Sequence, residues 1–473
     1  MKNKNLETPC IFKLGISLFF VFGIFTYTMV SNQHIENNLL LAIATLIGAY
    51  MAMNIGANDV ANNVGPAVGS KALTMGGAIF VAAVFEAGGA LIAGGDVVKT
   101  IKKGIIDISA FGGNSEPFIW AMLSALLAAA LWLNLATYFK APVSTTHSIV
   151  GGVMGAGIAA AGFNIVSWTT MGKIAASWVI SPVLGGLIAA LFLYSIKHSI
   201  VYKENKIAAA KKYVPIYVAL MSWAFITYLT LKGLKKIWPQ VVDVLNILPL
   251  VSFEHTHKPS FLTALLLGLI IAVIIFFILK VRFHSQAAII DNSRNSVNKL
   301  FTIPLIFSAA LLSFAHGAND VANAIGPLAA INDAIVNGGI STKASIPLWV
   351  MVVGAFGISL GLALFGPKLI KTVGSEITEL DQMRAFSIAM AASITVIIAS
   401  QLGLPVSSTH IAIGGVFGVG FLREYLDAKH QGKKVKHVRR EYLNKIITAW
   451  VITVPAAAIL SASLYYIIKV SLN

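Results

Sequence analysis

Two polar sequences recur inside apolar stretches and carry most of the chemistry available to this chain. Residues 56–66 read GANDVANNVGP and residues 317–327 read GANDVANAIGP, identical at nine of eleven positions. On a helix, Asn58 and Asn62 share a face, as do Asn319 and Asn323, with Asp59 or Asp320 beside them. An ionised carboxylate is expensive among apolar side chains, so Asp59 and Asp320 need a partner such as a cation or a proton. Carboxylate and amide oxygens together suit a hard cation such as sodium, by the oxygen-ligand logic that serves calcium and magnesium. The plainer alternative is that Gly56 and Gly65–Pro66 break a helix and Asn58 caps it. Duplication of Asn-Asp inside two apolar segments weighs against that alternative.

A second pair follows each of these. Residues 142–147 read PVSTTH and 405–410 read PVSSTH. Pro142 and Pro405 sit where a helix can start, and the hydroxyls behind them, Ser144, Thr145 and Thr146 with Ser407, Ser408 and Thr409, are donors. Together with free N–H groups at a helix start they can bind a tetrahedral oxyanion; alternatively they cap helices and bond back to the chain. His147 and His410 read better as packed, hydrogen-bonded rings than as ligands. His316 has Ile55 at the matching position of the first copy and receives no symmetric role. Glu86, in IFVAAVFEAGGALIAGG, has no acidic counterpart in the second copy, and reads either as a cation or proton site or as a partner to a buried donor. The glycines at 151, 152, 155 and 157, and at 414, 415, 418 and 420, suit close helix packing and lack the strand–turn–helix setting of a phosphate loop.

The elements that must position these groups are membrane spans. Of 473 residues, 57% are hydrophobic and 11% charged, with mean hydropathy +0.80, which excludes a soluble enzyme. Apolar runs long enough to span, or to form half-helices or arms of re-entrant hairpins, lie near 12–30, 39–55, 73–96, 118–138, 148–163, 172–197, 213–231, 261–281, 301–315, 346–366, 385–402, 411–422 and 446–470. No small-x-small pattern follows the first run, so it is read as a retained span. Cys10 is the single cysteine, which excludes an internal disulfide or a cysteine-based metal site. The 35 basic residues against 19 acidic ones sit between spans, where they fit the positive-inside rule and not nucleic-acid binding.

Charge also sets orientation. The basic stretches 197–212, 280–299 and 423–445 read as cytoplasmic, whereas 31–38, 232–260 and the C-terminus read as external. A third match, KIAASWVI at 173–180 with KIITAWVI at 445–452, follows in the same order as the other two, which marks a duplication. The predicted organisation is an extra span at 1–37, a first repeat at 38–197, a basic linker with two spans at 198–299 and a second repeat at 300–473. The repeats run in opposite directions. The fold class is therefore an all-α polytopic membrane protein with two inverted-topology repeats, re-entrant or broken helices and roughly 12 transmembrane segments, the plan by which secondary transporters build a site near the bilayer midplane.

Both GANDVAN segments, GPAVGSKALT at 65–74, FEAGG around Glu86, KTIKKGIID at 99–107 and both PVS(T/S)TH starts resemble the inorganic phosphate transporter (PiT) family. That resemblance implies a symporter, not an enzyme, importing phosphate across the cytoplasmic membrane with sodium or a proton as the coupling ion and no other cofactor. Members move phosphate with sodium, or a metal–phosphate complex with protons, and a bacterial branch moves sulfate. The resemblance implies that Asn58, Asp59, Asn319 and Asp320 are ion and substrate ligands and that the hydroxyls of both PVS(T/S)TH motifs contact the anion. Asn62, Asn323 and Glu86 join the carboxylates as coupling-ion candidates, lipid is the surrounding partner, and a homodimer is compatible with this reading. The alternative for this chain is a sulfate symporter of the same family; among other classes an anion channel is the less favoured rival, and a hydrolase built on Ser144 and His147 a remote third.

Overall fold

The structure, a computed structural model, describes residues 10–112, 114–139, 141, 143–235, 237–247, 256–286, 291–338, 346–375, 379–432 and 435–472. Pro142 lies outside the described residues, as do Lys433 and Lys434. Helices follow one another as α1 (Cys10–Ser31), α2 (Asn38–Asn58), α3 (Val60–Gly69), α4 (Met75–Ala93), α5 (Gly95–Lys103), α6 (Ser115–Tyr138), α7 (Thr145–Ala161), α8 (Trp168–Ile196), α9 (Lys206–Tyr228), α10 (Trp238–Leu245), α11 (Phe261–Gln286), α12 (Arg294–Leu300), α13 (Thr302–Val336), α14 (Leu348–Ser375), α15 (Gln382–Gln401), α16 (Ser408–Gln431) and α17 (Arg440–Leu472). Eleven segments among the described residues are long and apolar enough to cross a membrane, which makes this a multi-pass, all-α membrane protein.

The plainer alternative in which Gly65–Pro66 breaks a helix is not what forms, since α3 runs on to Gly69, and α13 likewise runs through Gly326–Pro327 to Val336. The run expected at 301–315 is accordingly the first part of a 35-residue helix. Apolarity falls at His316–Asn323, but backbone hydrogen bonding does not, because those side chains are buried and partnered from neighbouring helices. In the first copy α2 passes to α3 at Asp59, whose backbone stays helical and donates to Ile55 O (2.9 Å).

The copies interlock. α2 packs on α14 as α13 packs on α4, and α7 packs on α17 as α16 packs on α8, so exchanging the copies maps each contact onto another. Glycine makes these approaches close, as expected from the glycine runs. A Cβ on Gly155 would stand 2.1 Å from the Ala458 carbonyl oxygen, and one on Gly418 2.1 Å from that of Gly186. Between helices in lipid, van der Waals contact of this kind replaces the hydrophobic effect as the driving term.

α6 with α7, and α15 with α16, form two helical hairpins. The base of the first is tied to the start of α8, since Asp107 N donates to Ile165 O (2.7 Å) and Ser167 N to Ile105 O (2.9 Å). The base of the second lies near the far end of α8. There Asp381 pairs with Arg294 (3.2 Å), and Arg423 donates to the Glu379 carbonyl (3.3 Å). Asn292 accepts from Lys206 N at this same end (2.8 Å), so α9 starts and α11 finishes there. The hairpins thus enter from opposite ends of α8.

Candidate functional site

The hairpin tips meet the two GANDVAN segments. Asn58 Nδ2 donates to Thr137 Oγ1 (2.9 Å) and to Ala141 O (3.2 Å), and its Oδ1 accepts from Val143 N (3.2 Å). Asn319 repeats the pattern with Ser400 Oγ (3.0 Å) and Leu404 O (3.2 Å). Each of these asparagines therefore holds the tip of its own copy's hairpin. Sequence reasoning, which made both of them substrate ligands, gave no sign of that role.

Ser144 and Ser407 start α7 and α16 as N-caps, accepting from the backbone N–H of His147 (3.1 Å) and His410 (3.2 Å). The three-hydroxyl run then turns the next two side chains inward. Thr145 Oγ1 donates to Asp59 Oδ2 (2.6 Å) and lies 3.4 Å from Asp320 Oδ2. Thr409 Oγ1, from the other copy, donates to Asp59 Oδ1 (2.5 Å) and accepts from Asn62 Nδ2 (2.9 Å). Ser408 Oγ donates to Asp320 Oδ2 (3.2 Å). Asn323 Nδ2 reaches Thr145 Oγ1 (3.0 Å) and Thr146 Oγ1 (3.2 Å), while Thr146 donates across to Val406 O (2.9 Å). The structure thus brings Asp59, Asp320, Asn62, Asn323, Thr145, Thr146, Ser408 and Thr409 into one buried cluster.

His316 is the residue that sequence reasoning set aside. Its Nδ1 lies 2.7 Å from Glu86 Oε2 and its Nε2 2.9 Å from Asp320 Oδ2, all three fully buried. Glu86 Oε1 also accepts from Asn63 Nδ2 (2.7 Å), so both of its oxygens are engaged, as in the reading of Glu86 as partner to a buried donor. A signal was available: His316 opposite Ile55, Asn63 opposite Ala324 and Glu86 opposite no acid are three unmatched polar residues, and they pair with one another. Ligand atoms of Asp59, His316 and Asp320 lie within 4.8 Å of one another.

His147 and His410 pack edge to face (4.4 Å), the first against Trp178 (3.9 Å) and the second stacked on Trp450 (3.7 Å). Both tryptophans come from the third repeated sequence. Ser144 Oγ engages the His147 backbone and the imidazole packs against aromatic rings, which is not the arrangement of a nucleophile and its base.

The chemistry left over is acceptor-rich. Oδ1 of Asn62, Asn319 and Asn323 and Oδ1 of Asp320 are buried with no hydrogen-bond donor. Buried oxygens are ordinarily paired, and those of Asn62, Asn323 and Asp320, in the cluster that also holds the Asp59 carboxylate, fit a hard cation.

Residues 55–461 match the family described as phosphate transporter family. The chain belongs to the phosphate transporter family. It is 49% identical to a protein of Helicobacter pylori strain J99 named "Putative phosphate permease", over 98% of this chain and 96% of that one. A Thermococcus kodakarensis protein of like name is 37% identical over 91% of this chain and 98% of its own. Among solved structures, one titled "The sodium-dependent phosphate transporter" superposes with TM-score 0.79 at 35% identity, covering 91% of this chain and 99% of that chain. The family and these relatives are transporters and not enzymes, and both repeated polar sequences of this chain lie within the matched residues 55–461.

Proposed function

We propose that this chain is a sodium-coupled symporter that imports inorganic phosphate across the cytoplasmic membrane. The observation that carries the reading is the set of buried acceptor oxygens without donors, on Asn62, Asn323 and Asp320, in the cluster that holds Asp59. Sodium needs such oxygens, and an anion by itself is repelled by them. Thr145 and Thr409 now donate to Asp59, and Ser408 to Asp320. A cation bound by the carboxylates takes up the lone pairs that hold those hydroxyls, and the released O–H groups then serve the phosphate oxygens. Each ligand thereby favours the other, and the coupling is reciprocal by linkage. Inverted repeats support alternating access to this cluster: each copy contributes helices that leave its end opposite to its start, and α9 and α11 return the chain to the same end before the second copy begins. The neighbour titled a sodium-dependent phosphate transporter supports the choice of cation.

The test is uptake of labelled phosphate into proteoliposomes under an imposed sodium gradient, a proton gradient or neither. Accumulation above the equilibrium level with sodium alone is expected. Accumulation that follows only the proton gradient would move the coupling to the Glu86–His316–Asp320 chain, and uncoupled flux would make the protein an anion channel.

A further inference from the structure

Outside the central cluster, one group of charges is built into the fold. Asp96, at the start of α5, is met by Lys232 Nζ at 2.6 Å, Lys99 Nζ at 3.6 Å and Lys235 Nζ at 3.9 Å. Lys232 is fixed there by a π-helical turn over 229–233 that ends α9, and its side chain is only 10% exposed. Burial by itself would raise the Asp96 carboxyl, but the Lys232 hydrogen bond and the three ammonium charges hold it below its ordinary value. Three cations thus share one carboxylate, and the described group keeps an excess of positive charge.

This group is wired to the second hairpin. Lys232 Nζ also reaches the Gln401 carbonyl at the C-terminus of α15 (3.5 Å), where a cation complements the helix dipole. Thr100, one turn beyond Asp96, donates to Gly403 O (2.8 Å), and Leu404 O accepts from Asn319. The tip of the first hairpin has different surroundings: an apolar cleft of about 270 Å³ lined by Trp132, Leu135, Phe139, Val143 and Ile452. The charged group therefore serves one end of the molecule only, the external one by the charge orientation of the loops.

We propose that Lys99, Lys232 and Lys235 form an external entry site for a tetrahedral oxyanion, with Asp96 as the internal anion that occupies it between arrivals. An incoming phosphate competes with Asp96 for the lysines, is concentrated beside the second hairpin, and loosens the contact of Lys232 with the hairpin tip. This rests on the symport reading and on the orientation, and it adds a recruiting step outside the central cluster.

The experiment measures initial phosphate uptake in proteoliposomes, from the external and from the cytoplasmic face, at about 20 and 200 mM ionic strength. Lys99→Met and Lys235→Met should each raise KM for external phosphate about threefold at low salt with kcat unchanged, and the difference should vanish at high salt. Asp96→Asn should act in the opposite direction and lower KM. Lys232→Met should raise KM, with Lys232→Arg restoring it. If Asp96→Asn raises KM together with the lysine variants, the group is a structural clamp and the proposal fails. It also fails if KM and its salt dependence are unchanged in Lys99→Met and Lys235→Met. An effect confined to the cytoplasmic face would overturn the orientation, whereas no phosphate uptake by the unsubstituted protein would instead overturn the symport reading.

Discussion

Thr146 and Thr409 occupy the same place in the two PVS(T/S)TH sequences, yet their hydroxyls have different work, and replacing each with valine separates the two. Thr409→Val keeps shape and removes two bonds at once: the donation to Asp59 Oδ1 (2.5 Å) and the acceptance from Asn62 Nδ2 (2.9 Å). Both partners are buried, so neither regains a bond from bulk water. A bond to a charged group contributes about 1.5–3 kcal/mol and a neutral one about 1, which places the cost near 2–4 kcal/mol. With that cost falling on the hydroxyl-bonded arrangement of Asp59, through which each cycle passes, initial uptake drops by roughly 30-fold to several hundredfold. Thr146→Val removes a bond to the Val406 carbonyl and one of two to Asn323, which keeps Thr145 at 3.0 Å. About 1 kcal/mol, or roughly fivefold, is expected there. The assay is sodium-driven uptake of labelled phosphate by purified, monodisperse protein in liposomes, with Thr409→Ser as the restoring control. Retention of a third or more of normal uptake by Thr409→Val, or equal losses in the two valine variants, would refute the assignment of Asp59 as the carboxylate held by both copies.

Asp59→Asn and Asp320→Asn should each abolish concentrative uptake while the protein remains in the membrane; normal accumulation in both would remove the cation site from these residues. In a Cys10→Ser background, Lys203→Cys should react with impermeant thiol reagents only from the cytoplasm and Ser471→Cys only from outside, and cytoplasmic labelling of the latter would end the inverted-repeat reading. Labelled phosphate should be displaced by sulfate at least about tenfold less well than by phosphate, because phosphate near neutral pH carries a proton for the acceptor oxygens of Asp59, Asp320 and the asparagines; the difference corresponds to about 1.4 kcal/mol. Gly317→Ala would place a Cβ 2.1 Å from the Glu86 carbonyl oxygen, so its melting temperature in detergent should fall, whereas Gly23→Ala, with open space around it, should leave melting unchanged.

How much of this was legible in the sequence depended on whether a property was local. Helix existence was, since apolar runs fall close to α1, α6, α8, α11 and α17. Helix ends at the polar segments were not, because hydropathy drops at His316–Asn323 although the helix continues; what keeps it helical is burial against hairpin tips far away in sequence. The central cluster was legible through repetition, which singled out Asp59, Asp320, Asn62, Asn323 and the inward hydroxyls. The role of Asn58 and Asn319 in holding the tips was not, because their partners include the backbone carbonyls of Ala141 and Leu404, and a carbonyl leaves no trace in residue identity. His316 was missed for the opposite reason. Attention to what repeats hides a residue that does not.

The unmatched residues bear on how a duplicated site can do unsymmetric work. Two identical copies would give Asp59 and Asp320 equal surroundings, and a site with two equal carboxylates has no preferred place for a cation or for the positive end of a protonated anion. Here the copies differ where it matters. Asp59 accepts two short hydroxyl bonds, one from each hairpin, whereas Asp320 accepts one longer bond from Ser408, faces the His316 ring and keeps Oδ1 without a donor. His316 is in turn held by Glu86 and, through it, Asn63, both from the first copy. The asymmetry thus exists only because the copies interlock: α4 of one packs on α13 of the other, and Gly317 admits the Glu86 backbone to within reach. Interlocking places an acid from one copy on a histidine from the other, and this pair, not the repeated motif, distinguishes the two carboxylates.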